Sequence, residues 1–140
     1  MPRSPRGKPW PLLAVDIALR GVEAAAAAGR LPEALRRLTE QCAADPFNAA
    51  AQAARGAALE RLGRHEDAVD ALDVAVALAP NAMAPAWLLG TVLARSNRLQ
   101  DAETALRQAH AVAPDNPQVS NDLAAVLTRM HRHREAGTIL

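Results

Sequence analysis

Aromatic residues are almost missing from this chain. Its 140 residues include Trp10, Phe47 and Trp87, and no tyrosine. β-Sheets lean on aromatic and β-branched side chains to cover a pleated surface, so the scarcity argues against a β protein. Lysine is rarer still, with Lys8 alone, and every other side-chain cation apart from histidine is arginine. The net charge of +1 supplies no global field for nucleic acid or an anionic membrane. Cys42 is the single cysteine, so no disulfide closes within the chain. Its place between apolar residues on a helical pattern reads as a small core filler, not a reactive thiol. No apolar run approaches the length that crosses a bilayer. The opening MPRSPRGKPWPLLAV is basic and proline-rich, but Asp16 interrupts the apolar stretch almost at once, so no secretory signal is expected. Residues 1–11 are expected to form a flexible basic, proline-rich arm, with the folded array over 12–140.

What fills the chain instead is alanine, leucine and arginine, which form helices well. Half the residues are apolar and 22% are charged, a globular composition. The small and apolar residues recur. Ala34, Ala68, Ala102 and Ala136 stand 34 apart, each followed four later by Leu38, Leu72, Leu106 and Leu140. Arg30, Arg64, Arg98 and Arg132 precede them, and Pro46, Pro80 and Pro114 close three of the units. Upstream, Gly56 and Gly90 repeat with Ala124 at the third place, and Leu59, Leu93 and Leu127 follow. A fixed period of this size marks a stacked array.

Each unit reads as two helices. AAAQAARGAALERL is strongly helical, and Gly63 ends it as a glycine just past a helix does. HEDAVDALDVAVALA then places Ala68, Ala71, Leu72, Ala75 and Leu78 on one face, with Glu66, Asp67 and Asp70 near the positive end of the helix dipole. Pro80 cannot continue the helix, after which Asn81 or a neighbour can cap the next one. Asn116-Pro117 is the clearest start, a cap followed by proline at the first helical position. Gly56 and Gly90 let the second helix of a unit approach closely, while Leu59, Leu72 and their copies fill the remaining space. A lone hairpin of this kind cannot bury its apolar face, so each needs neighbours.

The pattern resembles the tetratricopeptide repeat. The family's Gly, Tyr, Ala, Phe, Ala and Pro places hold Gly56, Leu59, Ala68, Leu72, Ala75 and Pro80, then Gly90, Leu93, Ala102, Leu106, Ala109 and Pro114. The fourth unit offers Leu123, Ala124, Leu127, Ala136 and Leu140, while the first has Val22 and Ala25 at the Gly and Tyr places. The family's Trp place holds Ala18, Gln52, Ala86 and Ser120, and Trp87 sits one residue late, turned from the usual pocket. The resemblance implies an all-α fold, a right-handed superhelical solenoid of antiparallel helix pairs. Repeats are expected at about 15–48, 49–82, 83–116 and 117–140, the last incomplete.

The resemblance further implies a concave groove lined by the first helices. It would present Ala53, Ala57, Arg61, Trp87, Thr91, Arg95, Asn121, Ala125 and Arg129 as partner-binding residues, with Trp87 as anchor and Arg61, Arg95 and Arg129 in a row. The implied function is a non-catalytic protein-interaction scaffold for a peptide or helix of a partner, with an acidic flank pairing with the arginines. The same arginines are also favoured at helix ends by the dipole alone. The alternative function is an N-terminal substrate-recruiting region of a larger glycosyltransferase or sulfotransferase whose catalytic domain is absent. Chaperone-binding members resemble one another in a Lys/Asn carboxylate clamp, whose places here hold Ala53, Ala57, Leu88, Gln118 and Asp122; no chaperone-tail binding is expected. The asparagine ladder of O-glycosyltransferase repeats is replaced by Arg20, Ala54, Leu88 and Asp122. No catalytic, cofactor or metal site is expected: HRHRE, residues 131–135, reads as a solvated turn among repelling arginines, and a metal site needs three or four converging ligands. Nucleic acid and membrane are not expected partners. Self-association through the uncapped C-terminal end is, and the expected compartment is the cytoplasm.

Overall fold

A computed structural model describes the backbone of residues 10–140 and the side chains from residue 14 onward. The described residues are all-α. Four helices, α1 (Trp10–Ala27), α2 (Leu31–Ala44), α3 (Ala49–Arg61) and α4 (His65–Leu78), belong to one compact unit, residues 1–82. The other unit, residues 83–140, holds α5 (Met83–Arg95), α6 (Leu99–Val112), α7 (Pro117–Arg129) and α8 (His133–Ile139). The expected arm lies outside the described residues up to residue 9, and α1 already begins at Trp10.

Each helix pair is joined by the same turn. Gly29, Gly63, Asn97 and His131 stand at its apex, with φ of 70°, 80°, 59° and 61°. Past each apex an arginine N–H donates back to the preceding helix: Arg30 to Ala25, Arg64 to Leu59, Arg98 to Leu93 and Arg132 to Leu127, at 2.8–2.9 Å. The apex N–H donates to the carbonyl three residues before it. These paired bonds form a Schellman close, which needs one left-handed residue. Glycine takes that conformation freely, and Asn and His are among the side chains that tolerate it.

The recurring arginine also starts the next helix. Its carbonyl accepts from Ala34, Ala68, Ala102 or Ala136, and its side chain holds an acid in the first turn. Arg64 pairs with Asp67 at 2.7 Å, Arg98 with Asp101 at 3.0 Å, and Arg132 with Glu135. In the first pair Glu33 turns instead to Arg37, at 3.0 Å. Between pairs, Asn48 and Asn116 cap α3 and α7, accepting from Ala51 at 3.0 Å and from Gln118 and Val119 at 3.0 and 3.3 Å. The equivalent place before α5 is Ala82, which has no side-chain oxygen to offer.

Close approach of paired helices sets the core. A Cβ built on Gly56 would lie 2.6 Å from Leu72 Cγ, and one on Gly90 would lie 2.5 Å from Leu106 Cγ. Leu72, Leu106, Ala68 and Ala102 are fully buried. The outer pairs carry a real side chain at the glycine place, and there the matching leucine is less covered. Val22 is buried opposite a half-buried Leu38, and Ala124 is buried while Leu140 is 75% exposed. α2 accordingly contains no buried residue, although it packs on α1 and α3. In the second unit, Glu103 on α6 accepts from Arg107 at 2.8 Å and from Arg132 at 2.6 Å, tying α6 to the turn before α8.

Candidate partner-binding surface

The residues expected on the groove fall into both units, and they do not share one fate. In the first unit, Ala53 is fully buried in a cluster with Val15 and Ala75, against which Ala50 and Leu19 pack. Ala57 is buried as well. Neither can offer a surface to a partner, which corrects the expectation for both. Their helix explains the error: α3 buries Ala51, Gln52, Ala53, Ala54, Gly56, Ala57, Ala58 and Leu59, nearly its whole circumference. Gln52, at the family's Trp place, satisfies its buried amide by donating to the Pro46 carbonyl at 3.3 Å. Arg61 is exposed at the end of α3 and forms an ion pair with Glu23 of α1.

The second unit presents a different face. Along α5, Trp87 and Thr91 are half-buried and Arg95 is exposed; along α7, Asn121, Ala125 and Arg129 are exposed. Successive side chains on each helix are three or four apart, so each set shares one stripe. Trp87 Nε1 donates to Asp122 Oδ2 at 2.7 Å, joining the two helices. The late register of Trp87 thus points it to a carboxylate on the following first helix. The Thr91 hydroxyl donates to the Leu88 carbonyl at 2.8 Å and is spent within its own helix. Arg129 donates to the Ala94 carbonyl at 3.0 Å and to Asn97 Oδ1 at 3.1 Å, so it closes the end of α5.

Arg61 and Arg129 of the row are therefore engaged within the chain. The Glu23 carboxylate stabilises the charged form of Arg61, and Arg129 is a second donor to the Ala94 carbonyl, which also accepts from the Asn97 N–H. Asp122 was not among the candidates. The signal for it was present in the offset Trp87 and an acid 35 residues on.

Elsewhere, Cys42 is half-buried, and burial pushes its thiol up, against a smaller opposing effect of Arg55. His131 and His133 meet edge to face with centroids 6.2 Å apart. Among the described residues no three His, Cys, Asp or Glu side chains are grouped to hold a metal ion, and no helix is long and apolar enough to cross a membrane.

A family model described as tetratricopeptide repeat matches residues 19–82 and 88–138. Among solved structures, a crystal structure of MamA is similar with a TM-score of 0.78 at 23% identity, over 83% of this chain and 68% of that one. MamA from Desulfovibrio magneticus RS-1, residues 41 to the end, gives 0.75 at 21% identity, over 89% and 71%. The first TPR of Spaghetti (RPAP3), bound to the HSP90 peptide SRMEEVD, gives 0.74 at 20% identity, over 85% and 94%. At these identities the likeness is one of fold. No curated protein matches the chain in sequence.

Proposed function

Since the chain belongs to the tetratricopeptide repeat family, we propose that it is a non-catalytic protein-interaction module whose α5–α7 face binds a peptide or helix of a partner. The observation that carries this reading is Trp87. It is a large amphipathic side chain left half-open between two helices that otherwise offer small and polar residues there. Aromatic side chains so placed are the usual anchors of interfaces. Thr91, Asn121 and Ala125 make the surround shallow enough for an extended chain or a helix to lie across it. Arg95 and Arg129 border its far end.

The RPAP3 domain, bound to a peptide, supports a peptide as the kind of ligand this fold accepts. The ligand proposed here differs from that acidic tail. Of the five clamp places, Ala53 and Ala57 are buried, Leu88 and Gln118 carry no charge, and Asp122 repels a carboxylate.

The test is selection of randomised displayed peptides on the whole chain, followed by affinity measurement with Ala125→Arg. Ala125 is exposed on α7, and arginine is a good helix former, so this change blocks the face without disturbing the core. Selected peptides are expected to lose binding to Ala125→Arg. Peptides that bind both proteins equally would refute the proposal.

A further inference from the structure

We propose that the ligand of this face carries an arginine, held jointly by Asp122 and Trp87; the inference rests on the reading of the face given above. Asp122 is half-buried on α7, and its one hydrogen bond among the described residues is the one Oδ2 accepts from Trp87 Nε1 at 2.7 Å. A carboxylate offers about four acceptor positions. No arginine or histidine among the described residues forms an ion pair with it. Arg129, the cation nearest along α7, is committed to Ala94 and Asn97.

In the free protein, water solvates the open side of Asp122. A partner lying over Trp87 must also cover that carboxylate, because the two side chains are hydrogen-bonded. An apolar or acidic segment placed there strips the water and leaves a buried, uncompensated charge, which is strongly unfavourable. A basic side chain removes the penalty and forms a charge-assisted hydrogen bond to Oδ1. The site therefore selects by what it rejects as well as by what it holds. Arginine fits better than lysine. Its planar guanidinium stacks on an indole while its donors reach a carboxylate, and it loses less hydration than a compact ammonium.

The experiment uses the peptides selected above, resynthesised with citrulline for each arginine, a neutral near-isostere. Affinities are measured for the whole chain and for Asp122→Asn, which keeps an oxygen to accept from Trp87 and removes only the charge. Peptides blocked by Ala125→Arg are expected to contain arginine. Citrulline is expected to weaken binding to the native chain about tenfold or more, and binding to Asp122→Asn by about twofold or less. Should Asp122→Asn fold poorly, the citrulline series on the native chain still decides. Face-dependent peptides without arginine, or with affinity indifferent to citrulline, overturn this inference and leave the peptide-binding reading standing. Peptides indifferent to Ala125→Arg overturn both.

Discussion

Replacing Gly90 by alanine tests the packing that the whole array depends on. In an open helix this change is favourable by about 0.8–1 kcal/mol, because alanine is the better helix former. Here the added Cβ would lie 2.5 Å from Leu106 Cγ and 2.7 Å from Cδ2, with the Ala102 carbonyl oxygen at 3.4 Å. Carbon atoms rest at about 3.5–4.0 Å, so Leu106 or its helix must retreat by about 1 Å. Leu106 is fully buried. Overpacking of this kind costs about 1–3 kcal/mol, which offsets the helix gain and leaves a net loss of up to about 2 kcal/mol. Urea unfolding followed by far-ultraviolet circular dichroism measures it. Gly21→Ala is the control: nothing lies within 4 Å of its added Cβ, so the same chemical change should stabilise by up to about 1 kcal/mol. If Gly90→Ala proves as stable as Gly21→Ala, close approach at the glycine place is not what shapes these pairs.

Asn116→Ala removes a cap that serves two N–H groups of α7 and should cost about 1 kcal/mol; an unchanged unfolding midpoint would mean that water replaces it. Glu103 is disfavoured as an anion by burial, but its bonds to Arg107 and Arg132 prevail and hold its carboxyl below the usual range. The stability it contributes is therefore present above its unfolded value of about 4.3 and is lost as pH falls through the lower folded value. Glu103→Gln should destabilise the protein at neutral pH, with the difference from the native chain closing in acid; a pH-independent difference would contradict the assignment. Alkylation of Cys42 by iodoacetamide should rise with pH at a higher midpoint in the native chain than in urea, since burial raises its thiol; coincident midpoints would exclude that burial.

The fold was legible because close helix packing leaves little choice. Gly56, Ala68, Leu72 and their copies are repeated since a larger or polar side chain there would separate the pair or bury an unmet group. The turns were legible only where glycine marks them. Asn97 and His131 adopt the same left-handed backbone, yet neither residue type announces it, so two of the four Schellman closes were hidden. The candidate surface was harder to read. In an alanine-rich helix, periodicity says little about which side faces out, because alanine is tolerated on either; hence Ala53 and Ala57 were placed on a surface they do not reach. The arginines carried two superposed meanings, ligand pairing and helix-end closure, and only the bonds of Arg61 and Arg129 separate them. The Trp87–Asp122 bond joins residues 35 apart, one more than the repeat, and an offset of one is what a search for identity at equal spacing passes over.

The absence of any buried residue in α2 has a kinetic corollary. A segment held by half-covered contacts can detach while the remainder stays folded, and its amide protons then exchange with solvent through that local opening. Deuterium should enter α2 well before it enters α4 or α6, whose Leu72 and Leu106 anchor them. Cys42 travels with α2, so its labelling rate is a chemical clock for the same event.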